Sequence, residues 1–327
     1  MRTVLLSFVS RGVLRLGTLS SVLVFFVGIS LVGCLVSCDA QPDRNSPSRS
    51  PGDRRPRIVA GSAAALDWLA WLSLLDETSI DVVGVPVQAE RYANGLPPDG
   101  LVDRAETFAN FRAEALLRFE PDLVLCDDYQ NPLTIRALES AGVSVRTLLP
   151  VRTFDDLEAN LTRVLAALDG QRTGIADGRS AKRRLQEERD ALAAMRPASR
   201  ARVLPYYDLG GQVSSAGNGT SEALLLGLAG ATDVACELGL AGHGKVSIER
   251  LLSVDVDWFL VSEGTQVASL RRRASLASLR AMREERFLVL SSRLRQANSP
   301  YVLEAARRVR SMLDRAARTT SDAGRDG

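Results

Sequence analysis

The chain has one histidine, His243, and four cysteines, Cys34, Cys38, Cys126 and Cys236. A Ser-His-Asp triad would have to use that single imidazole, and no His–nucleophile pair or paired metal-ligand motif stands out. The stretch "SSAGNGTSE" (214–222) is a Gly-rich loop opening a helix, whose free N–H groups can hold a phosphate, but it lacks the Gly-Lys-Ser/Thr ending of a P-loop. A phosphate- or nucleotide-binding α/β enzyme is therefore the weaker reading, and no catalytic residue is expected. What remains is a set of Tyr, Arg and carboxylate side chains just past apolar runs: Gln88, Arg91 and Tyr92; Asp127, Asp128 and Tyr129; Tyr207 and Asp208; Glu263; and Ser292 with Arg293. Such groups suit recognition of a bulky polar ligand through Arg–carboxylate pairing and aromatic walls.

The apolar runs position those residues. "RIVAGS", "DVVGVP", "DLVLCDD" and "VSVRTLLP" read as strands, separated by "AAALDWLAWLSLL" and by a helix with Asn131 as cap, Pro132 at its first position and Gly142 after its end. The second half repeats the scheme with "ARVLPYY", "TSEALLLGLAG" opened by Thr220 or Ser221, "DWFLVSEG" and "RFLVLSS". Alternating strands and helices predict parallel sheets covered on both faces. Between the halves, residues 176–195 are charged, free of Pro and striped by Ala181, Leu185, Leu192 and Met195, which predicts a helical strut. The expected organisation is an N-terminal α/β lobe at 57–171, a connecting helix at 172–197, a C-terminal α/β lobe at 198–318 and a disordered tail at 319–327. In open parallel sheets a ligand crevice lies beyond the carboxyl ends of the strands, where the residues above fall.

The 327 residues suffice for two such cores, and the net charge of +2 gives no field for nucleic acid. The start of the chain carries Arg2, Arg11 and Arg15, then an uncharged stretch from Leu16 to Cys38. That is an export signal by composition, although about 20 apolar residues can also span a bilayer. Its endings "LVGC" and "LVSC" resemble the lipobox of bacterial lipoproteins, with Cys38 or Cys34 as the lipidated residue. Residues 1–38 are read as signal peptide. "DAQPDRNSPSRSPGDRRP" at 39–56 is a polar, Pro/Ser-rich tether. Cys126 and Cys236, one in each half, are expected to be buried free thiols.

One phrase is written twice. "AEALLRFEPDLVL" from Ala113 and "IERLLSVDVDWFL" from Ile248 share Glu (Glu114, Glu249), Leu-Leu (Leu116-Leu117, Leu251-Leu252) and Asp (Asp122, Asp257). Each reads as a short helix running into a strand, one per lobe, with the Leu pairs in the core. The two Glu residues sit at helix starts, where the dipole favours a carboxylate.

These segments, with "GVSVRTLLPVRTFDDLEANLTRVLAAL", "SSAGNGTSEALLLGLAGATDVA" and "KVSIERLLSVDVDWFLV", resemble the class III extracytoplasmic substrate-binding proteins of ABC importers, which take up iron–siderophore complexes, cobalamin and haem. The resemblance covers about Arg57 to Arg315. It implies two Rossmann-like lobes with parallel sheets joined by a single long helix, no enzymatic activity and no intrinsic cofactor. The implied ligand is a ferric or cobalt chelate held between the lobes. The implied partner is an ABC permease dimer with its ATPase, docked through Glu114 and Glu249, the protein acting as a lipid-anchored, extracytoplasmic monomer. Arg91, Tyr92, Tyr129, Tyr207, His243, Glu263 and Arg293 are the candidate ligand contacts. A single His speaks against a bare zinc or manganese site; haem ligation would fall to Tyr92, Tyr207 or His243. Two departures from the pattern concern the ligand: "AGSAAALD" carries Leu66-Asp67 where the resembled proteins have Thr-Glu, and "PVQAERYANGLPPDG" matches no particular ligand type. A non-transporting sensor or scaffold lipoprotein is the remaining alternative.

Overall fold

The computed structural model describes residues 55–75, 80–95, 101–102, 105–170, 178–195, 200–262 and 265–323. Cys34, Cys38, the signal segment, most of the tether and Glu263 lie outside them. The described residues all belong to one compact unit, Ser50–Gly327.

The first sheet is made of β1 (Arg57–Ala60), β2 (Asp81–Pro86), β3 (Glu106–Phe108), β4 (Leu123–Asp127) and β5 (Ser144–Leu148), in the order β3-β2-β1-β4-β5. Every pairing in it is parallel. The chain order reverses between β1 and β4, and this switch point sets the position of the cleft described below. Helices α1 (Ala63–Ser73), α2 (Ala89–Tyr92), α3 (Ala113–Leu117), α4 (Pro132–Ser140) and α5 (Phe154–Gly170) make the connections, and α6 (Arg179–Ala194) leads to the second half. That half begins with β6 (Arg202–Pro205), β7 (Tyr207–Leu209), β8 (Gln212–Ala216), α7 (Ser221–Leu228), β9 (Thr232–Asp233) and α8 (Val234–Glu237). Then come β10 (His243–Lys245), α9 (Ile248–Leu252), β11 (Trp258–Ser262), α10 (Thr265–Arg271), α11 (Arg280–Arg283), β12 (Phe287–Leu290), α12 (Ser292–Arg295) and α13 (Tyr301–Ala323). A second parallel sheet has the order β12-β11-β6-β9. The parallel two-lobe architecture is as expected, while a small antiparallel sheet, β10-β8-β7, is an addition to it. Helix α13 continues to Ala323, past the 318 boundary expected for the lobe.

Side-chain alternation explains how three cores form. Along β1 and β4, Ile58, Ala60, Leu123 and Leu125 face one buried cluster, and Val59, Val124 and Cys126 face another. In the second sheet Val203, Leu260 and Leu288 join the first of these clusters, and Leu204, Phe259 and Val261 form a third. The large cluster thus holds residues of both lobes, with Leu157 and Leu161 of α5, Leu185 and Leu192 of α6, Leu225 of α7 and Leu303 of α13. Ala181, Leu185 and Leu192 are the buried stripe of α6, and Met195 packs beside it. Burying each such Leu is worth roughly 1.5–3 kcal/mol, so separating the lobes along this seam would be expensive.

Helix starts follow the expected capping chemistry. Asn131 accepts the Leu133 N–H at 2.9 Å, and Thr220 rather than Ser221 caps α7, accepting the Ala223 N–H at 3.2 Å. Cys126 and Cys236 are free; Cys126 is buried, whereas Cys236 is only half-buried, with its thiol donating to the Asp233 carboxylate at 3.3 Å.

Candidate functional site

The chain leaves the tight β1–β4 pair through Gly61, whose N–H donates to the Leu125 carbonyl at 2.6 Å. A Cβ at residue 61 would stand 2.8 Å from that oxygen and from the Cys126 Cβ, so only glycine fits. Ser62 then caps α1, accepting the Ala65 N–H at 3.0 Å. The splayed strand ends open a cavity of about 560 Å³, walled by Ser62, Gln88, Tyr92, Asn110, Asp127 and Tyr129 from the first lobe and by Gln296–Asn298 from the second. A second cavity of about 950 Å³ lies against the β7–β8 hairpin, the start of α7, His243–Lys245 and Pro150–Arg152. Gln296 and Asn298 line both cavities, so the two are halves of one cleft between the lobes. Asn298 also accepts the Val151 N–H at 2.6 Å, fixing this shared floor to the first lobe.

Tyr92 and Tyr129 reach the first cavity, and Tyr207 and His243 the second. Arg91 and Arg293 line neither and correct the expectation placed on them. The Arg293 guanidinium donates to the carbonyls of Arg91, at 3.2 Å, and of Glu90. The Arg91 guanidinium lies 5.4 Å over the Tyr92 ring. Arg293 thus holds the segment after β2 against α12 and Arg91 packs on its neighbour, tasks that sequence alone cannot distinguish from those of cleft-facing arginines. Asp208 is likewise committed: Ser269 and Arg273, the latter at 2.9 Å, hold its carboxyl below the usual carboxylate range.

Under Tyr207 lies a buried ion pair. Arg295 and Glu222 are both fully buried and paired through Nε and Oε1. Arg295 Nη1 donates to the Tyr206 carbonyl at 2.9 Å and to Gln266 at 3.0 Å. The Tyr207 hydroxyl donates to Glu222 Oε2 at 2.5 Å, and its ring stacks 3.9 Å from the Arg295 guanidinium carbon. Burial, then the charge of Glu222, pushes the Tyr207 phenol well above its ordinary pKa. His243 meets the ring edge-on, with centroids 6.2 Å apart. The wall of the second cavity is thus a rigid aromatic face.

Two carboxyls mark the first cavity. Asp67 accepts four hydrogen bonds: from the Asn94 N–H at 2.5 Å, the Gly95 N–H at 2.7 Å, the Asn94 amide at 3.0 Å and the Ser299 hydroxyl at 3.0 Å. Burial nonetheless raises its pKa. It is a tie between lobes. Asp127, at the end of β4, is also buried, and burial is the main cause of its raised pKa, with hydrogen bonds from Tyr129 and Ser62 opposing it. Its Oδ1 has no partner.

Glu114 and Glu249 are exposed in the first turns of α3 and α9. Hydrogen bonds from its own backbone N–H and from Ser247 hold Glu249 below its ordinary range. Among the described residues no group of three or more His, Cys, Asp or Glu is placed to hold a metal ion, and no helix is long and apolar enough to cross a membrane.

This architecture has solved counterparts. The chain is similar to the periplasmic haem-binding protein HutB of Vibrio cholerae, with 24% identity over 79% of this chain and 98% of that one at a TM-score of 0.65. A periplasmic haem-binding protein from Pseudomonas aeruginosa matches with 25% identity over 80% and 93% at 0.56, and the periplasmic vitamin B12-binding protein BtuF of Vibrio cholerae with 20% over 80% and 98% at 0.58. No family model and no curated protein matches the chain. The fold is that of the class III periplasmic binding proteins, in agreement with the resemblance read from the sequence.

Proposed function

We propose that this protein is the extracytoplasmic substrate-binding component of an ABC importer, holding one bulky metal chelate between its lobes and presenting it to the permease without chemical change. The observation that carries the reading is the cleft itself. It lies at the carboxyl ends of the first parallel sheet, is closed below by Gln296–Asn298, and belongs to a fold whose solved counterparts include haem- and vitamin B12-binding proteins. Tyr92 and Tyr129 on one side, and Tyr207 and His243 on the other, offer aromatic walls to a planar or compact chelate: haem, a corrinoid or a ferric siderophore. Glu263 stays a candidate contact next to the end of β11. Lipid on Cys38, or on Cys34, would tether the protein to the outer face of the cytoplasmic membrane through the 39–56 segment.

Titration of tryptophan fluorescence with haemin, cyanocobalamin and ferric siderophores tests this reading. Trp68 follows Asp67 of the first cavity, so a chelate in the cleft is expected to quench emission saturably at one equivalent. Tyr92→Ala with Tyr207→Ala is expected to weaken that binding at least tenfold, a loss of about 1.4 kcal/mol. Absence of saturable binding by all of these chelates would remove the reading.

A further inference from the structure

The two halves of the cleft differ in their ionisable side chains. The second cavity is lined by Arg152, His243 and Lys245, and the one carboxylate lining it among the described residues, Glu222, is consumed by Arg295 and Tyr207. The first cavity is lined by Asp67 and Asp127 and by no Arg, Lys or His among the described residues. Asp67 is spent on its four donors. Asp127 is different: it is only 6% exposed, and one of its oxygens, Oδ1, is buried with no partner. Leaving a buried acceptor unpaired costs about 1–3 kcal/mol, and a carboxylate costs more. An unmet acceptor at the end of β4, within the lining of a cavity, is what a binding site looks like before its ligand supplies the donor.

Resting on the reading of the cleft as a chelate site, we infer that Asp127 is a specificity determinant that receives a cationic or hydrogen-bond-donating arm of the ligand, such as a protonated amine. The basic second cavity faces the ligand's opposite, electron-rich end. The ligand is then bound in one orientation, donor arm toward the first lobe. A chelate with carboxylates at both ends would set one of them against Asp127 and be disfavoured. Burial, with the Asp128 charge adding to it, raises the Asp127 pKa against hydrogen bonds from Tyr129 and Ser62, and a cation seated on the carboxyl would lower it again.

Ferrioxamine B, which carries a free ammonium arm, and its N-acetyl derivative, which does not, share one iron centre and test the inference directly. The wild-type protein is expected to bind ferrioxamine B about tenfold more tightly than the acetylated form, within the range of a charge-assisted hydrogen bond. Asp127→Asn keeps the shape and removes the charge, and is expected to bring the ratio to about one. Equal affinity of the two chelates for the wild-type protein would overturn the inference without recourse to any variant, as would a ratio unchanged in Asp127→Asn. Binding of haemin or cyanocobalamin with neither ferrioxamine bound would also overturn it, while leaving the chelate reading intact. Binding of none of these chelates would overturn both.

Discussion

The Asp122 carboxylate accepts the backbone N–H of Arg57 at 2.7 Å, and in the other lobe Asp257 does the same for Arg202 at 2.9 Å. Each Asp precedes a central strand, β4 or β11, and each Arg opens the neighbouring strand, β1 or β6. The Asp N–H groups answer, donating to the Arg57 carbonyl at 2.8 Å and to the Arg202 carbonyl at 2.9 Å. Even the guanidinium groups correspond. Arg57 Nε donates to the Phe119 carbonyl at 2.9 Å and Arg202 Nε to the Asp255 carbonyl at 2.8 Å, one position further along the repeated phrase. The phrase shared by the two halves therefore encodes a clasp that starts each sheet.

This clasp sits at the amino ends of the strands, opposite the cleft, so its loss is expected to affect stability alone. Asp122→Ala and Asp257→Ala should each cost about 1.5–3 kcal/mol, the range for a hydrogen bond to a charged group. Being in separate lobes, their effects should add. Urea unfolding of the two single variants and the double variant checks this. Chelate affinity below the transition should not change.

Asp233 gives a signed pH effect. Burial is the main reason its pKa is raised to about 6, although it caps α8 through the Ala235 N–H at 2.8 Å. A carboxyl with a raised folded-state pKa contributes stability that is complete below its unfolded value, near 3.8, and lost as pH rises through about 6. Asp233→Asn keeps a capping oxygen and removes the titration. The unfolding free energy of the wild type, from urea titrations, is expected to fall between pH 4 and 7 by about 2 kcal/mol more than that of the variant. Parallel pH profiles for the two proteins would contradict this assignment.

The buried pair beneath Tyr207 predicts a strong asymmetry between variants. Arg295→Met strands the Glu222 carboxylate in the interior and is expected to cost about 3–5 kcal/mol. Adding Glu222→Gln to it removes the stranded charge and should recover a good part of that loss. Tyr207→Phe leaves the ion pair in place and should cost only about 1 kcal/mol. Thermal melts of the three proteins give the comparison, and equal costs for all three would show that the pair is not the organising element of this wall.

How far the sequence speaks depends on whether a feature is periodic or solitary. The runs around Ile58, Val124, Val203 and Leu260 are short, nearly continuous apolar stretches, as strands buried on both faces are, and they alternate with helical segments opened by caps such as Asn131 and Thr220, so lobes, sheets and the α6 stripe could be read directly. Glu222 and Arg295 lie 73 residues apart, and nothing marks that one arginine among so many as buried. Arg293 follows a strand just as a ligand contact would, and only the fold reveals that its donors face the carbonyls of Glu90 and Arg91. The three-residue strands β7 and β10 are too short to show alternation, which hid the antiparallel sheet. Asp127 could be placed at a strand end from sequence, but its unpartnered oxygen is a property of packing.

The anchoring proposal can be tested in cells. Labelling with a fatty-acid probe is expected to mark the wild-type protein and to fail for the double variant Cys34→Ala, Cys38→Ala. The single variants would identify which cysteine carries the lipid. Label on the double variant would exclude both.

Glu114 and Glu249 carry the last prediction. They are the exposed acids of the repeated phrase, in the first turns of α3 and α9, and the fold places one on each lobe. A permease of two equivalent subunits needs equivalent contacts from two lobes, and a Glu–Arg pair gains geometry and charge-assisted hydrogen bonds once water is excluded. The competing account is local: a carboxylate in a first helical turn is favoured by the dipole, by about 0.3–1 kcal/mol at exposed sites. The accounts diverge on mutation. If the acids dock the permease, Glu114→Ala with Glu249→Ala leaves chelate affinity intact and abolishes uptake, and exchanging both for Arg does the same more severely. If they serve only their helices, the double variant melts slightly earlier and uptake proceeds at the wild-type rate. Uptake of a labelled chelate, measured beside its affinity for the purified variant, separates the two; wild-type transport by the double variant would remove the docking role.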